Sequence, residues 1–381
     1  MAAISSLEPT RQAVAAVQVA SVRGELPEPI RFGDWVMPDR EYVVVRVTTS
    51  DGVEGWAFTL TREGPVAEAI RKAIAPRYVG CCIDEPDAAF DAAQRSNLST
   101  LVSGAGLRGM SVVDLAVWDA LARAHGVSIA RLLGGAPVPV PVTAIIGYPP
   151  TLGPDGVGDQ VRMLHEAGWR RFKMAIAATP QLTYERFAAA AMAAPGCDLS
   201  MDAAWTFRDV DSAEAFLRDL PVRLSWFEDV FPPGDADLVR ALRERVDTPI
   251  AMGDEQGGAY YPQALLAVEA VDIVRVDFTC MGGITGGRRT VERALAARAR
   301  FLTHMFAHVH SQVLAGLGHA GLPVEWGVPW TGVDPYADSL RQPVVREGLM
   351  DPLPEEPGFG PLLNRDWLAT QRVDDPEGIL T

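Results

Sequence analysis

From Pro139 onward, short apolar runs alternate with segments whose apolar residues recur at helical spacing. The runs predict strands at 140–147, 171–176, 198–203, 224–228, 249–254, 272–277, 300–304 and 322–325. The intervening patterns predict helices near 157–167, 182–193, 211–219, 235–245, 261–268, 284–298 and 309–318. Eight strands with seven helices between them make a (β/α)7β TIM-type barrel, one helix short of the full (β/α)8 repeat.

The first part of the chain lacks this rhythm. Alternating VVVRV at 43–47, a turn at Ser50-Asp51-Gly52 and VEGWAF at 53–58 predict a hairpin, with helices at 65–75, 86–96 and 107–124. The expected organisation is an α+β capping domain over 1–136 and a modified barrel carrying the site over 137–335. A Pro- and Gly-rich segment over 336–381 would return to complete the cap.

Composition narrows the function. The 381 residues carry a net charge of −15, which disfavours a nucleic-acid partner because phosphate backbones require a basic surface. No apolar stretch approaches the length of a membrane span, and Glu8 and Arg11 interrupt the place a leader's apolar core would occupy. A cytoplasmic location and no membrane partner are expected. The four cysteines offer neither zinc spacing nor a disulfide framework, and Cys81 and Cys82 read as buried thiols.

Three acids stand out. Asp202, Glu228 and Asp254 follow one another at equal intervals of 26 residues, each at the end of an apolar run and before loop-like sequence. That interval fits one strand, one helix and two loops, so the three carboxylates would share the C-terminal rim of a parallel barrel, where such folds place their chemistry. Any one of them alone would read as a helix N-cap. Together they would repel one another unless a divalent cation joined them, and hard oxygen ligands suit Mg²⁺. The remaining strand ends supply Lys173, Ala175, Asp277, His304 and Glu325.

In this order and spacing, MDAAW, WFEDVFPP, MGDE, VDFTCMGGITGG and THMF resemble the enolase superfamily, most closely its mandelate racemase subgroup. The likeness extends to SVVDLAVWDALARAHG before LLGG and to the terminal PGFGPLL. It implies that Asp202, Glu228 and Asp254 bind Mg²⁺, which would hold the carboxylate of a 2-hydroxy acid. It also implies that Asp277 orients His304 as a general base, and that Glu325 hydrogen-bonds a substrate carboxylate oxygen. Lys173 would be an electrostatic partner of that carboxylate, restoring neutrality to three acids and one dication.

The departures from the subgroup are Ala175 in place of the second lysine of Lys-x-Lys, Asp254 in place of Glu, with Glu255 as a substitute ligand, and Ala204 in place of Asn. With no lysine at 175, only the His304 face keeps a proton acceptor. The leading expectation is therefore an Mg²⁺-dependent dehydratase of a sugar acid, an aldonate or aldarate, giving a 2-keto-3-deoxy acid. A single-base epimerase or cycloisomerase, or a catalytically silent ligand-binding relative, remains the alternative. Specificity is expected from loops at Pro27 to Arg40, with Arg31 and Trp35, and at Thr59 to Gly64, with Arg62; His308 is a further residue that would reach the substrate. The expected partner is a small carboxylate, on a homo-oligomer.

Overall fold

The computed structural model describes residues 7–32, 35–254, 258–331, 344–351, 356–360 and 363–380. The capping domain starts with an antiparallel ribbon, β1 (Val14–Phe32) and β2 (Trp35–Thr49), extended by β3 (Glu54–Leu60). The β2–β3 hairpin is the one expected from its alternation, with Val45 opposite Ala57. The described part of the segment from Pro27 to Arg40, which excludes residues 33 and 34, departs from expectation: it is strand at the far end of the ribbon, with Ile30 opposite Met37. Pro27 and Pro29 suggest a loop locally, but the ladder accommodates them at an irregularity between Glu25 and Ile30.

Helical segments α1 (Val66–Ala69) and α2 (Ala75–Tyr78) flank a π turn, and α3 (Pro86–Ser96) and α4 (Leu98–Leu101) follow. The central helix α5 (Gly104–Ala124) is buried from Gly106 to Ala122. Its apolar residues lie all round, as a helix packed on both sides requires. One side meets β3 at Gly55, where a Cβ would fall 2.1 Å from the Ala116 carbonyl oxygen, so only glycine permits this approach. A short α6 (Ile129–Leu132), capped by Ser128, closes the unit.

The barrel strands are β4 (Val140–Ile146), β5 (Arg171–Ala175), β6 (Asp198–Asp202), β7 (Phe227–Glu228), β8 (Ile250–Met252), β9 (Ile273–Val276), β10 (Arg300–Thr303) and β11 (Val324–Gly327). They run parallel in chain order, and β11 pairs with β4 to close the ring; among the described residues no ladder joins β10 to β11. Between them lie α7 (Pro154–Glu166), α8 (Pro180–Ala193), α9 (Val210–Asp219), α10 (Ala236–Arg243), α11 (Tyr261–Ala267), α12 (Gly283–Ala296) and α13 (Ala307–Gly316). This is the (β/α)7β arrangement, with the expected last strand shifted two residues along the chain. Phe172, Phe227 and Phe301, all fully buried, pack in the layer between the strands and the surrounding helices, while Trp226, Ala251, Ile273 and Leu302 form a separate cluster; each buried phenylalanine removes enough apolar area to contribute about 1.5–3 kcal/mol.

After β11 the chain adds β12 (Val345–Arg346) and β13 (Leu349–Met350), the latter antiparallel to β4. Helix α14 (Arg365–Gln371) and β14 (Arg372–Asp374) follow, and β14 pairs with β1, so the C-terminal segment completes the capping sheet. Phe359 N–H donates to buried Asp119 Oδ1 on α5 at 2.7 Å, a second tie between that segment and the cap. Among the described residues no helix is long and apolar enough to cross a membrane. Cys81 and Cys82 are half-buried rather than buried.

Candidate active site

Strand register sets the site level. Ala175 lies opposite Asp202, and Asp202 opposite Glu228, so these residues share one row at the C-terminal ends of β5, β6 and β7. Asp254 follows β8 through Gly253, whose φ of +115° glycine alone adopts without strain. His304 continues the β10 ladder by donating its N–H to the Val276 carbonyl at 3.1 Å.

His304 Nδ1 stands 3.1 Å from Asp277 Oδ2. Asp277 is fully buried, and its other oxygen accepts from the Thr279 N–H and hydroxyl, each at 2.7 Å. Burial alone would raise the Asp277 carboxyl; the His304 imidazole beside it outweighs that and holds Asp277 well below the usual carboxylate range. An ionised Asp277 only accepts, so His304 Nδ1 carries the proton and Nε2 is left as the basic nitrogen. His310, expected only to start a helix, belongs to this arrangement. Its Nδ1 donates to the Met305 carbonyl at 2.7 Å, its Nε2 accepts from Phe278 N–H at 3.2 Å, and Nε2 lies 3.4 Å from Asp277 Oδ1.

Lys173 donates from Nζ to Glu228 Oε1 at 2.7 Å and to Glu325 Oε1 at 3.1 Å, and lies 3.7 Å from Asp202 Oδ2. Burial would lower its pKa, but Glu228 and Glu325 raise it well above the usual lysine range, so it is a fixed cation rather than a base. A second buried cation was not anticipated. Arg275, inward-facing in the middle of β9, pairs with Glu325 through Nη2 and with Glu228 at 3.2 Å through Nε. Burial would raise the Glu325 carboxyl, yet Arg275 and Lys173 hold it down to about 2. Glu325 is therefore an anion that accepts, also from Met305 N–H at 3.3 Å, and donating a hydrogen bond to a substrate carboxylate would require a proton it does not hold.

The acids that converge are not quite those expected. Oxygens of Glu228, Asp229 and Asp254 lie within 4.8 Å of one another, and all three residues are buried. Asp202 is outside that group: its Oδ1 accepts from Ala204 N–H at 2.9 Å, and its side chain is 22% exposed. Asp229 Oδ1 is buried with no hydrogen-bond partner, and burial, then Asp254, Asp202 and Glu228, pushes its carboxyl well above the usual range. Crowded oxygen donors with an orphaned carboxylate atom fit a hard dication, which would supply the missing partner. Glu255 lies outside the described residues.

Of the expected specificity residues, Arg31 and Trp35 have described backbone only, at the far end of the ribbon. Arg62 sits at φ +52° with Nη1 3.9 Å from Met37 Sδ. His308 is buried and stacked on Phe58, centroids 5.2 Å apart, and burial pushes it down to about 3, so it is neutral. Sequence reading missed a cavity of about 210 Å³ lined by Glu28 and Ile30 from the cap, Tyr148, Pro149 and Pro150 after β4, and Trp330 and Thr331 after β11. The aromatic and proline cluster at 148–150 was a readable signal for it.

Comparison with known proteins bears on this geometry. Residues 14–134 match the mandelate racemase/muconate lactonizing enzyme N-terminal domain, and residues 156–367 match the enolase C-terminal domain-like model. The chain is 25% identical to D-galactarolactone cycloisomerase of Agrobacterium fabrum, over 95% of this chain and all of that protein. It is 26% identical to a D-galactonate dehydratase family member of Streptomyces bingchenggensis, over 86% and 93%. L-talarate dehydratase from Polaromonas, solved with Mg and L-glucarate, superposes with a TM-score of 0.83 at 21% identity, covering 95% of this chain and 98% of that one.

Proposed function

From the premise that this chain belongs to the mandelate racemase/muconate lactonizing enzyme family of the enolase superfamily, we propose that it is an Mg²⁺-dependent dehydratase of an acid sugar. The observation that carries this reading is the buried Asp277–His304 pair at the rim of the barrel. Glu228 and Asp254 would hold the ion, with Asp229, whose oxygen converges with theirs, or Asp202, opposite Glu228 in the strand register, as the third ligand. Mg²⁺ bound there would offset the crowded carboxylates and increase the acidity of the proton next to a substrate carboxylate.

A proton α to a carboxylate is far less acidic than an imidazolium, and each unit of mismatch costs about 1.4 kcal/mol. His304 Nε2 takes that proton, with Asp277 stabilising the imidazolium that forms. Breaking the β-carbon–oxygen bond then expels the hydroxyl with its electron pair; a proton, from His304 if departure is syn, completes water, and the enol left behind tautomerises to a 2-keto-3-deoxy acid. Lys173 and Arg275 stay charged throughout and hold Glu228 and Glu325 in place.

The test is a screen of aldonic and aldaric acids with MgCl₂, scored by carbonyl reagents. Appearance of a 2-keto acid supports dehydration. A second reading, cycloisomerisation, is favoured by the likeness to D-galactarolactone cycloisomerase over 95% of the chain; the same pair would move the proton, but the product would keep the mass of its substrate, whereas dehydration loses one water, so mass spectrometry separates the two.

A further inference from the structure

The capping domain reaches the Asp277–His304 pair by hydrogen bonds as well as by packing. Thr59, on β3 of the cap, and Thr279, two residues beyond Asp277, are both fully buried, and their hydroxyl oxygens lie 3.1 Å apart. The direction of the contact follows from chemistry. Asp277 only accepts, so the Thr279 hydroxyl spends its proton on Asp277 Oδ1, and the bond between the threonines must be donated by Thr59.

The result is a chain of donors that converges on Asp277: the Thr59 hydroxyl donates to the Thr279 hydroxyl, Thr279 donates to Asp277 Oδ1, and the His304 ring N–H donates to Asp277 Oδ2. The cap anchors the same loop twice more. Ser111 Oγ accepts from Gly282 N–H at 2.6 Å, and Asp114 accepts from the Thr285 N–H at 3.0 Å and hydroxyl at 2.8 Å. The neighbour of Thr59, Phe58, packs on Phe306 and stacks on His308, in the segment that follows His304. Adjacent cap residues therefore hold both loops that supply the pair.

We propose that Thr279 and Thr59 are positioning residues for the proposed base: their hydroxyl relay fixes the Asp277 carboxylate so that its second oxygen meets His304. With the relay intact, the carboxylate cannot rotate without losing donors in a site closed to water. Without it, Oδ1 keeps only the Thr279 N–H. The relay also couples docking of the cap to the orientation of the imidazole. Its kinetic consequence rests on the dehydratase reading, but the relay itself does not.

The test uses the full chain in MgCl₂ and needs no substrate. The downfield ring N–H proton of His304, assigned by its loss in His304→Ala, reports the bond to Asp277. Thr279→Val keeps shape and removes the hydroxyl; solvent exchange of that proton should quicken about tenfold, the scale of one hydrogen bond to a charged group. Thr279→Ser should restore it, and Thr59→Val should give a smaller change of the same sign. If Thr279→Val does not fold, Thr59→Val and Thr279→Ser still decide the matter. An unchanged resonance in the valine variants that fold, or a Ser variant as perturbed as Val, overturns the relay. A resonance that responds as expected, with no acid turned over by the unmodified chain, leaves the relay standing and overturns the functional reading.

Discussion

Lys173 and Glu228 form a buried ion pair, Nζ to Oε1 at 2.7 Å, at a position where the lysine also meets Glu325. With Arg275 on the other side of the same two acids, it supplies the positive charge that lets a rim crowded with carboxylates fold before any cation arrives.

Removing one partner of such a pair strands the other's charge. Lys173→Met should therefore cost about 3–5 kcal/mol in denaturant unfolding measured without divalent metal. A loss below about 1 kcal/mol would show that Arg275 alone suffices.

The proposed cation site ranks its own ligands. Glu228→Gln and Asp254→Asn should each abolish most Mg²⁺ binding by calorimetry. Asp229→Asn should weaken it at least as much as Asp202→Asn, because Asp229 Oδ1 has no other partner while Asp202 already has the Ala204 N–H and lies near Lys173. The Asp229 carboxyl, raised well above its usual range, must release a proton when the ion binds, so affinity should climb with pH through the region above ordinary carboxylate values. Flat affinity there, or a harmless Asp229→Asn, would return the third position to Asp202.

Asp114, which holds the start of α12 to the cap through Thr285, offers a pH test of stability. Burial, opposed by hydrogen bonds from Thr285, raises its pKa in the fold to about 8, from the 3.8 of a carboxyl in water. Between those values the folded chain holds a proton that the unfolded chain has lost, so this group makes stability fall as pH rises, by at most about 1.4 kcal/mol per unit, and the effect levels off above about 8. Asp114→Asn should remove that slope from the unfolding free energy. An identical pH profile in the variant would mean that Asp114 is charged in the fold.

His308 is held neutral and stacked on Phe58. His308→Asn should leave proton abstraction within about threefold, well short of the ~10² expected of a general base, while lowering the melting temperature through the lost stack. A hundredfold loss of exchange with unchanged stability would make His308 a second base.

Much of this was legible because a barrel repeats. Equal spacing of Asp202, Glu228 and Asp254, and a third aspartate and a histidine at later strand ends, mark one rim whatever the loops do. Arg275 was not legible: it sits inside the apolar run IVRVD, and only closure of the ring reveals that it points at two acids. Asp229 was hidden for a related reason. It follows Glu228 directly, and strand alternation assigns adjacent residues to opposite faces, but its backbone turns to φ +48° just beyond β7 and brings the carboxylate back. The ribbon over 27–40 was obscured by its prolines, whose local preference the long β1–β2 ladder overrides.

The central claim is that His304, oriented by Asp277, removes the proton next to a substrate carboxylate. It is tested most directly by following deuterium incorporation at the α-carbon in D₂O with MgCl₂, using the acids that the unmodified chain turns over, and comparing His304→Ala. The expected result is exchange at one α configuration only, suppressed by ~10² or more in the variant while Mg²⁺ binding persists. Exchange that continues undiminished in His304→Ala would contradict it.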